Sequence, residues 1–186
     1  MTIRTERTPN PNSLKYNLGR VLIPGGSANF PTVETARKRS PLAERLFEVT
    51  GVSAVFLGSD FITITKEDAA DWNDVNGGLA PVLEAFFESG EPALTGNKPV
   101  DVQEIGADTN DPELVAKIKK LIDEKVRPAV AQDGGDIEYR GFKDGVVYLE
   151  MKGACSGCPS SAVTLKQGVE GMLMHYVPEV TSVEAL

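Results

Sequence analysis

The sequence predicts a mixed α/β (α+β) protein of two small domains. Three observations carry this. Along both halves of the chain, apolar residues switch between helical spacing and short strand-like runs. Residues 91–111 are dense in Gly, Pro, Asn and Asp and hold no periodicity. The 186 residues divide there into blocks long enough for separate cores. The expected boundaries are 1–90 for the first domain, 91–111 for a flexible linker and 112–186 for the second domain.

In the first block, the prolines of TPNPNS (8–13) bias their predecessors away from helix, so this stretch reads as turn and extended chain. Leu14 to Ile23 reads as one or two short strands around Gly19, and Pro24 to Asn29 as a loop. Ser40 is an N-cap with Pro41 at the first helical position. The helix shows Leu42, Leu46, Phe47 and Val49 on one face, and Gly51 ends it. Val52 to Leu57 and Phe61 to Thr65 read as partner strands about a tight turn. A second helix starts near Asp71, passes Leu79, Leu83 and Phe86, and stops at Gly90, with Pro81 expected to kink or divide it. Trp72 reads as a packing anchor and Arg37-Lys38-Arg39 as a solvated face.

The linker sets five carboxylates against one lysine, a solvated composition, so the two blocks are expected to move relative to each other. In the second block, Asp111 caps a helix with Pro112 at its first position. Its stripe is traced through Leu114, Ile118, Leu121, Ile122, Lys125 and Ala129, and Pro128 should kink or end it. Asp133 to Asp136 reads as a turn. Ile137 to Phe142 and Val146 to Met151 form a hairpin about Lys143-Asp144-Gly145. The run GACSGCP (153–159) follows, then a helix carrying Ala162, Leu165, Val169, Leu173 and Tyr176. Thr181 to Leu186 is a last strand. The order is helix, strand, strand, helix, strand, with the C-x-x-C loop between the second strand and the second helix.

Composition narrows the function classes. A net charge of -8 makes a nucleic-acid backbone an unexpected partner. No apolar run approaches the ~18 residues of a membrane span. The N-terminus lacks an apolar signal region. No Ser/His/Asp set, P-loop or dinucleotide-binding glycine loop is present, so an enzyme reading finds no residues to run on.

The chemistry that remains lies at Cys155 and Cys158, the only two cysteines. Their spacing lets two thiolates converge on one metal or oxidise to a disulfide. They stand just before a helix, whose N-terminal partial charge favours thiolate. Gly153, Gly157 and Pro159 place them in a loop and not on an apolar face, so neither sulfur is assigned to the core. Three chemistries fit: a dithiol–disulfide couple, zinc, or an iron–sulfur cluster. The first lacks the larger upstream sheet of a thioredoxin fold. The other two want about four protein ligands, and each chain brings two thiolates. His175, the only histidine, lies roughly 25 Å along the following helix at 1.5 Å per residue. A two-fold dimer closes a four-thiolate site. Replacing either cysteine by serine is then expected to abolish binding and leave the fold nearly intact.

Residues 118–180, with the runs RPAVAQDGGD and GACSGCPSS, closely resemble the NifU C-terminal (Nfu) domain. Residues 8–90, with TPNPNSLKY and SPLAERLFEVTGVSAVFLGSDFITITK, resemble the N-terminal domain that accompanies it in bacterial and mitochondrial Nfu proteins. The resemblance implies an iron–sulfur cluster carrier. It implies a [4Fe–4S] cluster held by Cys155 and Cys158 and bridged between the subunits of a homodimer; four thiolates suit [2Fe–2S] as well. It implies an upstream scaffold as donor, and apo iron–sulfur proteins such as lipoyl synthase or aconitase-type enzymes as clients. The chain lacks the cysteine-bearing assembly and ferredoxin-like domains of the longer nitrogen-fixation NifU, which favours a late carrier. The first domain, which has no cysteine, is expected to dock or regulate. A bacterial cytoplasm is the expected compartment, with the mitochondrial matrix as the alternative for a processed chain.

Overall fold

The computed structural model describes residues 3–24, 26–95, 111–156 and 159–186, the side chains of 159–162 excepted. The chain divides into two compact units, Met1–Pro99 and Val100–Leu186, each with its own apolar core. Most of the expected linker, residues 96–110, lies outside the described residues.

The first unit is a five-stranded antiparallel sheet with helices on one face. Its elements are β1 (Arg4–Arg7), β2 (Ser13–Asn17), β3 (Ala28–Phe30), α1 (Val33–Arg37), α2 (Pro41–Phe47), β4 (Val52–Leu57), β5 (Phe61–Lys66) and α3 (Trp72–Ser89). The strand order is β1-β2-β5-β4-β3. Leu14 and Tyr16 of β2 pair with Ile64 and Ile62 of β5, so the inward phase of both strands is apolar. Leu42 and Leu46 of α2 and Leu79, Leu83 and Phe86 of α3 are buried in the same core. The caps follow side-chain chemistry. Ser40 Oγ accepts the Ala43 N–H at 3.0 Å and donates to the Ala93 carbonyl at 2.6 Å. Asp71 accepts the Asn73 N–H at 2.7 Å, and Gly90 closes α3 at φ 68°.

Four expectations shift here. α3 runs unbroken through Pro81. α2 ends at Phe47, before Val49 and Gly51. Ala28–Phe30 forms an edge strand where a loop was expected. β1 and α1 were not expected, since all four residues of β1 are exposed and α1 has only five. Trp72 leans on the core and donates Nε1–H to the Pro11 carbonyl at 3.3 Å. Arg37 is solvated beside Glu44 at 3.6 Å.

The second unit follows the predicted order. Helix α4 (Pro112–Leu121) passes through a π-helical segment, Ile122–Val126, into α5 (Arg127–Gln132). Strands β6 (Gly135–Lys143) and β7 (Val146–Gly153), helix α6 (Pro159–Tyr176) and strand β8 (Ser182–Ala185) complete it. β6 and β7 are an antiparallel hairpin, and α6 carries the chain across so that β8 runs parallel to β7. At the hairpin tip Asp144 has φ 49° and Gly145 φ 82°, the two positive values a type I′ turn needs. Asp111 caps α4 by accepting the Glu113 and Leu114 N–H groups.

The helical stripe differs from its expected course in one place. Ile118, Ile122, Val126 and Val130 are buried, whereas Lys125 and Ala129 are exposed. Three equal steps of four residues overrun a 3.6-residue turn, and the wide π turn absorbs the surplus. It also prepares for Pro128, which falls in the first turn of α5 where its missing N–H removes no bond. Lys125 sets its ammonium 5.4 Å over the exposed Tyr176 ring.

Candidate functional site

The site starts from β7. Its burial alternates cleanly, with Val147, Leu149, Met151 and Gly153 inward. Cys155 follows two residues on, past the end of the strand, where Gly153 turns the chain at φ 69° and Ala154 and Cys155 are both buried. It lies 5% exposed within the second core, which includes Val130, Ile137, Met151 and Val169. The sequence reading placed this sulfur outside the core, and the structure corrects it. Gly153 and Pro159 do mark a turn between β7 and α6, but the turn folds the thiol inward. Ser156 stays exposed, and both its N–H (3.1 Å) and its Oγ (2.9 Å) donate to the Gly153 carbonyl. Cys158 and Gly157 lie outside the described residues, so the structure places one member of the pair.

The second strand of the site is the start of β6. The sequence reading took Asp133 to Asp136 as a turn. The turn ends at Gly134, and Gly135 and Asp136 already belong to β6. Gly135 pairs with Gly153 across the sheet, and the Gly134 carbonyl accepts the Ala154 N–H at 3.2 Å. Two glycines facing each other let the backbones and the sulfur approach closely. A Cβ on residue 135 would stand 2.6 Å from the Lys152 carbonyl oxygen and 2.7 Å from Cys155 Sγ. The Cys155 seat exists because residue 135 has no side chain.

Asp136 is held from the helical side. Arg127 Nε and Nη2 each donate to one Asp136 carboxylate oxygen at 2.8 Å, a bidentate pair. Asp136 Oδ1 also accepts the Ile137 N–H at 2.8 Å. A third Arg127 nitrogen reaches Asp123 at 3.2 Å. The hydrogen bonds it donates to Asp136 hold the guanidinium pKa above its ordinary value, and the charge is permanent. Arg127 therefore ties the helix directly after the π segment to the residue beside Gly135. Further along the hairpin, Arg140 bridges Glu138 and Glu150, and Lys152 meets Glu138. The residues that sequence reasoning missed are Arg127, Gly135 and Asp136. The signal available was the DGGD run itself, where a second glycine beyond the turn leaves room for a close approach.

His175 does not join the site. Helix α6 separates it from the loop, and its ring meets Tyr176 edge-on at 4.9 Å. Among the described residues no helix is long and apolar enough to cross a membrane.

Both parts of the chain resemble known proteins. Residues 3–90 match the family described as scaffold protein Nfu/NifU N terminal, and residues 118–184 match the NifU-like domain. A human protein named NFU1 iron-sulfur cluster scaffold homolog, mitochondrial, is 47% identical over 99% of this chain and 71% of its own length. NifU-like protein 4, mitochondrial, of Arabidopsis thaliana is 47% identical over 99% of this chain and 65% of its own. This chain thus spans about two thirds of the length of these relatives. A solution structure of a NifU-like protein from Saccharomyces cerevisiae is 29% identical, covers 52% of this chain and 87% of that one, and has a TM-score of 0.47. The human relative and the N-terminal family are named as scaffolds. With both domain families matched in order and a relative this similar over its whole length, the chain belongs to the Nfu/NifU family.

Proposed function

We propose that this protein is a carrier of an iron–sulfur cluster, held as cargo by Cys155 and Cys158 and shared between two copies of the chain. One observation carries the reading. Cys155 stands at the handover from β7 to α6, in a chain whose two thiols supply half of a four-ligand set while its one histidine lies at the far end of α6. Two copies meeting through this loop supply the rest. A [4Fe–4S] cluster is the proposed cargo, with [2Fe–2S] using the same four thiolates. The names of the scaffold relatives support the reading at the level of cluster assembly.

Delivery is an exchange of thiolates. A client thiolate bonds to an iron as a carrier thiolate leaves it, so no electron is gained or lost and the cluster keeps its charge. Ser156, Ala154 and Gly153 put no bulky group in that path. In the unloaded chain the Cys155 sulfur is buried, so loading requires the turn after β7 to swing it outward. The proposed clients are apo iron–sulfur proteins such as lipoyl synthase or aconitase-type enzymes, and the proposed donor is an upstream scaffold. The cysteine-free first domain (1–90) is proposed to dock partners, and the second (112–186) to hold the cargo. Thiols kept reduced suit a bacterial cytoplasm or the mitochondrial matrix, and the relatives above are named mitochondrial.

Anaerobic reconstitution with iron and sulfide tests the reading. The expected product shows an iron–sulfide charge-transfer band and elutes as a dimer, and the Cys155→Ser and Cys158→Ser variants lose both. A colourless zinc adduct as the sole stable species would contradict it.

A further inference from the structure

We propose that Arg127, Asp136 and Gly135 form a latch that stows the Cys155 sulfur in the unloaded chain and sets how readily it emerges. The proposal takes the role of Cys155 as a cargo ligand from the reading above. Its geometric content is independent of that role.

Each part of the latch has a separate job. Gly135 is the seat: any side chain there collides with Cys155 Sγ and with the Lys152 carbonyl. The Gly134 carbonyl, bonded to the Ala154 N–H, ties the seat to the residue just before the cysteine. The bidentate Arg127–Asp136 pair then pins residue 136, and with it the seat, to the helical layer. Arg127 is in turn braced by Asp123, one turn back within the π-helical segment. A half-buried guanidinium on a carboxylate that is 11% exposed is stronger than a surface ion pair, and it fixes direction as well as distance.

The seat is also the weak point of the core. Its wall on the β6 side is backbone at Gly135, where no side chain holds the sulfur. Local opening of such an edge needs far less than global unfolding. Breaking the ion pair should therefore release Cys155 while the rest of the unit stays folded. Arg127 and Asp136 are positioning residues: they act on the sulfur through Gly135 and do not touch the cargo.

The test measures alkylation of Cys155 by iodoacetamide in the full-length reduced chain under anaerobic conditions, read by peptide mass spectrometry. The rate in denaturant serves as the ceiling. In the native protein Cys155 should react far below that ceiling. Asp136→Asn should react about tenfold faster or more, as expected when a closed state loses a charge-assisted pair. Arg127→Lys keeps the charge but not the fork and should fall between. Arg140→Gln is the control: it removes an ion pair from the same hairpin without touching Arg127 or Asp136 and should leave the rate unchanged. If Asp136→Asn loses its circular dichroism signal, Arg127→Lys decides by itself. The latch is overturned if the folded clamp variant reacts as slowly as the native chain, or if Arg140→Gln accelerates Cys155 equally. Cluster loading by Cys155→Ser would end the carrier reading and leave the alkylation result untouched. Unchanged alkylation would end the latch and leave the carrier reading standing.

Discussion

The two units are built from the same parts, sheet and covering helices, and use them differently. In the first, Leu14, Tyr16, Val55, Leu57, Ile62 and Ile64 of the central strands face the core, which is closed by Phe30, Leu42, Leu46, Leu83 and Phe86. In the second, the inward phase of β7 ends in a glycine and then a cysteine, opposite another glycine. One core is closed by hydrocarbon side chains, and the other buries a polarizable sulfur against a glycine backbone. A unit whose task is to hold shape can bury carbon everywhere. Under the proposed function, a unit that must bring out a buried ligand needs a seat walled by backbone, and Gly135 supplies it.

The comparison can be broken most severely in the first core. Phe86→Ala should cost about 3–5 kcal/mol, the range for a large side chain removed from a closed core, and urea unfolding would measure it. The same variant should still load its cargo at the native stoichiometry, because the cores are separate. Loss of loading would show that the first unit is needed for more than docking.

Next comes Gly135→Ala. The added methyl group meets a backbone carbonyl and the sulfur, neither of which is the end of a flexible chain, so about 1–3 kcal/mol should be lost to overpacking. Gly77→Ala in the first unit has open space around its Cβ and should be neutral or slightly stabilising in a helix interior. Thermal melts of the two variants compare the units directly.

Cys155→Ser comes third. With the sulfur inside the core, the hydroxyl replaces an apolar contact, and about 1–2 kcal/mol should be lost. This revises the expectation that the fold would be indifferent. A serine variant with native stability would return the sulfur to the surface.

The smallest effect lies at Glu34, in the first turn of α1. The backbone N–H of Glu34 and then the Thr32 side chain hold its carboxyl below the usual carboxylate range. A lowered folded value stabilises the protein above the unfolded pKa, and the contribution fades as pH falls through the folded value. A proton NMR titration should place Glu34 below an unperturbed glutamate, and Thr32→Ala should raise it.

What the sequence revealed depended on how local each signal was. Ser40, Asp71 and Asp111 were legible as caps because a cap is made by one side chain and the next three residues. The I′ turn at Asp144-Gly145 was legible because two residues make it. β1 was not, because RTER has no apolar phase to read. The π turn was not, because Lys125 and Ala129 satisfy a regular helix as well as Val126 and Val130 satisfy the real one. The cysteine pair was legible as chemistry, but the burial of Cys155 was not. Its neighbours in sequence are turn-formers, and its neighbour in space, Gly135, comes from the other strand of the hairpin.

The most direct test is the mass and iron content of the reconstituted chain, measured together by native mass spectrometry. The account predicts two chains for each cluster, and separate single chains once the cluster is chelated or handed on. A single chain carrying an intact cluster would contradict it.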